Sequence, residues 1–462
     1  MRRALHATRC SLPSWPHHRH PIRKRPLHVC THGEGFLGAL GHGDFSSRTE
    51  ATTVAALASR DVRCVSAGWT HSAAVCGDSG EVVVWGRPFD LKQPLRINRI
   101  QRLAPLVVSA INALASSREV LTSPVSVPLV AEPRSDSTSS SLAAAFHDTR
   151  PTPAQPQPSQ HPPPPSTPLS IRAASVACSA ALTVVLGEDG NVYCMGYNRW
   201  GQCGQGPENV FTVFEPLRVG GRALEHEKVV KLAVGFQQVL VLCESGRVFG
   251  WGKGLRGQLG IGSEMMELPV QAVELPGKAV DLVSGFSHAV AVLENGDAYT
   301  WGKMQGTEIK TDGRVPVHED QLYPRRVDVG VGGGSSRVVE AFCSSFNTLL
   351  RTEDGRVLMS GLEADTRRTV STPVEVEIPA SQLGSFFGGF NDTIVKTTGR
   401  SSSREASSAG KGDVDGDVPS FHRVTFTSAG AVVTPFVLPG LDAGTRVNSV
   451  SVGWQHTVAL VH

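Results

Sequence analysis

Three histidines recur in one setting, Gly68-Trp-Thr-His71, Gly285-Phe-Ser-His288 and Gly453-Trp-Gln-His456. Imidazoles gathered from separate parts of a chain can hold zinc. Other repeats carry Gln238, Asn347 and Asp392 at the same position. Exchange of imidazole for amide and carboxylate fits a repeated structural hydrogen bond rather than a metal centre. His17-His18-Arg19-His20 lies among prolines and has no fixed tetrahedral geometry. Asp413-Val-Asp-Gly-Asp417 has the start of a calcium loop, but neither the later glutamate nor flanking helices. The glycine-rich loop Gly252–Gly260 lacks the Lys-Ser/Thr end of a phosphate-cradling loop and opens no helix, so its glycines serve turns.

Nine cysteines include no Cys-x-x-Cys pair, which argues against zinc, iron–sulfur and disulfide frameworks. No nucleophile–base pair emerges either. No catalytic residue, metal or cofactor is assigned, and the chain reads as a non-enzymatic binding protein.

The elements that place these residues form a repeat. A glycine or serine anchor is followed by an apolar run, an acidic-x-Gly or similar turn, and a third run ending in Trp-Gly or its equivalent. Val229–Gly262 is the clearest copy, with Gly235, Gly246 and Trp251-Gly252. Anchors at Gly68, Ser179, Gly235, Gly285, Ser344, Gly389 and Gly453 make seven units. Turn dipeptides such as Asp189-Gly190, Ser245-Gly246, Asn295-Gly296 and Asp354-Gly355 supply the positive φ of tight hairpins. Proline-opened runs at Pro216, Pro269, Pro324 and Pro373 predict a fourth strand. Spacings of 45–64 residues between the later anchors suit four-stranded propeller blades, which become stable by stacking on neighbours.

The expected fold is all-β, a seven-bladed β-propeller spanning 27–462. The seventh unit stops at His462 before its turn and third strand, and Val29–Gly43 resembles Val248–Gly262. The N-terminal strand is therefore expected to pair with the C-terminal blade and close the ring. Two insertions interrupt it. One, about 87–170, is expected to be largely disordered, with nine prolines in residues 151–168. The other is polar, about 398–419, within the sixth blade.

Residues 1–26 are Arg-rich, acid-free and contain Ser and Thr, the composition of an organelle transit peptide. A nuclear-localisation cluster at Pro21-Ile-Arg-Lys-Arg-Pro26 and a plain basic tail are the alternatives. Seven of the basic residues fall in residues 1–30, leaving the remainder at about −5. An acidic body makes direct nucleic-acid binding unexpected. No apolar run reaches the length of a membrane span.

Trp251-Gly-Lys-Gly-Leu-Arg-Gly-Gln-Leu-Gly260 and Gly-Phe-Ser-His288 resemble the regulator of chromosome condensation repeat family. Met195-Gly-Tyr-Asn-Arg-Trp-Gly-Gln-Cys-Gly204 is similar to the variant in its mitochondrial branch. The resemblance covers about 29–90 and 171–462 and implies a seven-bladed propeller. For function it implies a range, from guanine-nucleotide exchange on small GTPases to organellar ribosome or RNA assembly and light sensing. The expectation is a monomeric scaffold or assembly factor in mitochondria, binding a protein partner. The alternative is a guanine-nucleotide exchange factor acting on a small GTPase in the nucleus or cytoplasm. Residues that differ between repeats at the loop tips are the candidate partner-binding patch: Asn198, Arg199, Trp200, Lys253, Leu255, Arg256, Lys303, Met304 and Gln305.

Overall fold

The computed structural model describes residues 27–77, 79–88, 120–129, 171–204, 212–220, 223–263, 268–303, 321–329, 336–363, 369–376, 386–388, 393–397, 420–435, 438–441, 445, 447–453 and 455–462. Residues 1–26, most of 87–170 and all of 398–419, on which expectations above fall, lie outside these.

Among the described residues the strands form seven four-stranded antiparallel sheets. The first holds Val62–Ala67, His71–Cys76, Val82–Gly86 and Leu121–Val127 in that order. The second holds Ala173–Cys178, Leu182–Gly187, Val192–Tyr197 and Thr212–Arg218. The third runs Val229–Val234, Gln238–Cys243, Val248–Gly252, Leu268–Val273, and the fourth Ala279–Ser284, His288–Leu293, Ala298–Gly302, Gln321–Arg326. The fifth has Val338–Cys343, Asn347–Thr352, Val357–Leu362 and Thr369–Val376. The sixth has Phe386–Gly388, Thr393–Thr397, Ser420–Thr427 and Gly430–Pro435. The seventh is assembled from both ends of the chain: Val447–Val452, His456–Val461, His28–Gly33 and Arg48–Thr53. In it His28 to Gly33 pair with Val461 to His456 without a register break.

The turn glycines Gly190, Gly246, Gly296 and Gly355 have φ of 79°, 83°, 85° and 85°, as the hairpin chemistry requires. Second strands such as Gln238–Cys243 and His288–Leu293 are buried along their whole length because their sheets are packed on both faces. Leu240, Leu242 and Leu259 of the third sheet pack with Leu282, Ala291 and Trp301 of the fourth. Val458 and Leu460 of the seventh pack with Ala74, Val83 and Trp85 of the first. Val290 and Val292 of the fourth meet Leu350 and Leu358 of the fifth, and Ile394 and Phe421 of the sixth meet Ala459 and Val461 of the seventh. The core is thus a series of layers between sheets.

Each third-strand tryptophan is keyed into the glycine loop of the preceding sheet. Indole N–H groups of Trp85, Trp251 and Trp301 donate to the carbonyls of Ala39, Gln202 and Gln258 at 2.8, 3.0 and 3.1 Å. All three side chains are fully buried. Gly260, with φ 71°, lies so close to the Trp301 indole that a Cβ would stand 2.8 Å from its ring. W301A should cost about 3–5 kcal/mol of unfolding free energy, combining lost transfer energy with a cavity. W301F, which keeps most of the apolar area and loses the N–H bond, should cost about 1–3 kcal/mol. Urea denaturation measures both, and a loss under about 1 kcal/mol for W301A would deny the tryptophan its wedge role.

Two sequence expectations need correction. The prolines do not open the outer strands. Pro216, Pro269, Pro324 and Pro373 sit inside them, each within a break in the pairing register with the third strand. A bulge on an edge strand is where a residue without an N–H does no harm. In addition, the stretch 87–170 is not all insertion. Leu121–Val127 supplies the outer strand of the first sheet, with Pro124 in the same kind of register break.

Candidate functional site: one face at the ends of the sheets

Loops joining first to second strands and third to fourth strands emerge at the same end of each sheet. In the third sheet Gln238 lies opposite Gly252, so the Gly235 anchor and the Lys253 loop adjoin. The backbone N–H of Lys253 donates to the Gln237 carbonyl at 2.9 Å, and that of Lys303 to the Ser287 carbonyl at 2.8 Å.

The structure brings part of the predicted patch together. The Trp200 ring carries two cations, with the Arg199 guanidinium carbon 5.1 Å and Lys253 Nζ 5.3 Å from its centroid. Lys253 Nζ also donates to Gln237 Oε1 at 2.9 Å. Partial burial first, then the neighbouring Arg256 charge, lowers the Lys253 pKa from its usual value. Leu255 and Arg256 are exposed at the same tip. Cation–π contacts of this kind hold an aromatic ring at a surface for about 0.5–1 kcal/mol each, and a Trp flanked by Arg is typical of interface hot spots.

Asn198 does not belong to this surface. It is buried, and its Oδ1 accepts from the Cys203 backbone N–H at 2.8 Å, closing its own loop. An amide at a loop start reads as a tip residue in sequence but here satisfies an inward backbone donor. Lys303 is half-buried beside Ser287, while Met304 and Gln305 lie outside the described residues.

Sequence reasoning missed a second feature of this face. Trp69, Phe236 and Phe286 follow their anchors and cluster with Phe346. Ring centroids of Trp69–Phe236 and Phe236–Phe286 are 4.4 Å apart, and those of Trp69–Phe286 and Phe286–Phe346 are 5.7 Å apart. Trp69, Phe236 and Phe286, together with Gly, Ser and Cys residues of six sheets, border a cavity of about 140 Å³. The signal was present as an aromatic directly after the anchors Gly68, Gly235 and Gly285.

The anchors themselves are joined from sheet to sheet. Phe236 N–H donates to the Phe286 carbonyl at 3.0 Å, and Phe286 N–H to the Ser345 carbonyl at 2.9 Å. At Gly285 a Cβ would stand 2.6 Å from the Ser344 carbonyl oxygen of the next sheet, so only glycine allows that approach.

The histidines take the structural role. His71 Nε2 lies 2.9 Å from Thr183 Oγ1, His288 Nε2 3.0 Å from Thr348 Oγ1, and His456 Nε2 2.7 Å from Ser72 Oγ. Each imidazole thus reaches a hydroxyl on the second strand of the next sheet. Burial lowers the pKa of His71 to about 3, with a smaller push from His456, and lowers His288 and His456 to about 4. Among the described residues no group of three His, Cys, Asp or Glu side chains could hold a metal ion.

Stacked four-stranded sheets with wedged tryptophans define an all-β repeat protein of the propeller class. The chain carries Regulator of chromosome condensation (RCC1) repeats, matched at residues 189–242 and 245–292. The Ultraviolet-B receptor UVR8 of Arabidopsis thaliana is 26% identical over 355 residues, 76% of each chain. The RCC1 domain-containing protein RUG3, mitochondrial, also of Arabidopsis thaliana, is 28% identical over 184 residues, covering 37% of this chain and 40% of that one. The crystal structure of Prp20p from Saccharomyces cerevisiae superposes with a TM-score of 0.60 at 16% identity, covering 95% of this chain and 92% of that one, and so shares the fold. No helix among the described residues is long and apolar enough to cross a membrane.

Proposed function

We propose that this chain is a seven-bladed propeller closed by pairing of its terminal strands, and that it works as a non-catalytic scaffold or assembly factor in mitochondria. The observation that carries the binding reading is the Trp200 ring with the Arg199 and Lys253 cations over it, on the face where the loops emerge. Closure is supported by the continuous pairing of His28–Gly33 with His456–Val461. The organellar reading is supported by the acid-free, Arg-rich first 30 residues and by the mitochondrial relative.

Affinity purification of the tagged full-length protein from fractionated cells tests both parts. Wild-type protein should fractionate with mitochondria and recover a specific partner. W200A should reduce that recovery about tenfold, as loss of a hot-spot residue does, with unchanged thermal stability. Unchanged recovery by W200A would overturn the assignment of the face. A nuclear or cytosolic location would overturn the organellar reading. Acceleration of GDP release from a small GTPase by the purified chain would replace scaffolding with nucleotide exchange.

A further inference from the structure

We propose that the cavity bordered by Trp69, Phe236 and Phe286, together with the adjoining cations Arg199 and Lys253, binds an acidic peptide segment that inserts one apolar side chain. This rests on the reading of the loop face as the partner-binding face and adds the chemistry of the partner.

Three observations converge. The cavity measures about 140 Å³ on a scale where one water occupies about 10–15 Å³. That is room for one large side chain and too little for a folded element. Its aromatic border adjoins the cations, because Lys253 Nζ donates to Gln237, the residue after Phe236, and the backbone N–H of Lys303 donates to the carbonyl of Ser287, the residue after Phe286. The cations beside the cavity differ from those elsewhere, for even at the loop end Arg48 is paired with Asp44. At the hairpin end Arg172, Lys228 and Arg337 are paired with Glu188, Glu244 and Glu353. Among the described residues, no ion pair engages Arg199, Lys253 or Lys303. A ligand that supplies carboxylates here gives these three cations the counter-charges that Arg48, Arg172, Lys228 and Arg337 find within the protein.

A basic face with aromatic rings also suits single-stranded nucleic acid, which stacks bases on open ring faces. The rings here are turned on one another. Phe236 and Phe286 stack at 4.4 Å and 11°, Phe286 and Phe346 at 5.7 Å and 26°. Trp200 is already occupied by Arg199 and Lys253. An inserted apolar side chain needs no open ring face, only the room between ring edges and the Gly and Ser backbone.

Fluorescence anisotropy with the full chain decides the matter. The probe is a fluorescein-labelled peptide of Asp and Gly residues with one central Phe. Controls are the same peptide with Ser in place of Phe, its Lys counterpart, and a labelled oligouridylate. The acidic Phe peptide should bind, with the Ser peptide about tenfold weaker and the Lys peptide not detectably bound. K253E should weaken binding about fivefold or more while its melting temperature stays that of wild type. F286L, which keeps an apolar side chain in place and is less prone to misfold than an alanine variant, should weaken the Phe peptide more than the Ser peptide. Equal binding of the Phe and Ser peptides would overturn the cavity's role. Preferential binding of oligouridylate, or no peptide binding at all, would overturn the proposal. If W200A loses the cellular partner while the peptide fails to bind, the binding face stands and only its assigned chemistry falls.

Discussion

A chain lacking residues 1–45 is expected to lose cooperative unfolding and to elute as aggregate in size-exclusion chromatography. The reason lies in the seventh sheet, where His28–Gly33 is an interior strand flanked by His456–Val461 and Arg48–Thr53. Removing it exposes the edge of His456–Val461 and leaves Arg48–Thr53 without a partner. Unpaired edges of this kind recruit other chains. The loss reaches the neighbouring layer as well, since fully buried Val29 packs with Val54, Leu57, Val458 and Leu460 beside the first sheet. The matched control is residues 27–462, which retains every described strand and should unfold near the wild-type midpoint. Equal stability of the two truncations would sink the terminal-strand closure.

Mild acid should destabilise the protein more steeply than a propeller without the buried histidines. His71, His288 and His456 have folded pKa values of about 3, 4 and 4, below the ordinary 6.5. Below pH 6.5 the unfolded chain therefore binds protons that the folded chain refuses. Stability contributed by the neutral, buried form is fully present above that pH and is lost as pH falls from 6.5 toward 4. At pH 5 each histidine accounts for about 2 kcal/mol, or about 6 kcal/mol for the three. Against a typical total of about 5–15 kcal/mol this is enough to approach unfolding. H288Q installs the residue type that the third sheet carries at Gln238 and should remove about one third of the pH dependence between 6.5 and 5. Urea titrations at several pH values measure the slope, and an unchanged slope in H288Q would refute the linkage.

The fold was legible because its repeat has rigid chemistry. Turn glycines such as Gly246, anchor glycines such as Gly285 and the ends of the third strands each answer to one steric demand that recurs. The outer strands were harder to read, because an edge strand tolerates bulges and has no fixed distance from the third. Leu121–Val127 escaped notice for that reason, although Pro124 followed by Val125 and Val127 has the same pattern as the other four. At the candidate site, Trp200 and Lys253 could be singled out as variable tips, but their meeting depends on two separate sheets. Asn198 was misplaced because a loop amide serves equally well inside or outside. Trp69, Phe236 and Phe286 stand at equivalent positions directly after their anchors, yet nothing local tells a half-buried ring from one that borders a cavity.

The imidazole–hydroxyl bonds have a consequence for how the molecule comes apart. Sheets joined only by apolar layers can detach one at a time, as units of a repeat array do. Here His456 depends on Ser72 of the first sheet, and His71 of that sheet depends on Thr183 of the second. Loss of the first sheet would break both bonds at once and strip the apolar cover from the strands that carry His456 and Thr183. Fraying is thereby penalised at both borders, and the sheets share their melting as one cooperative unit.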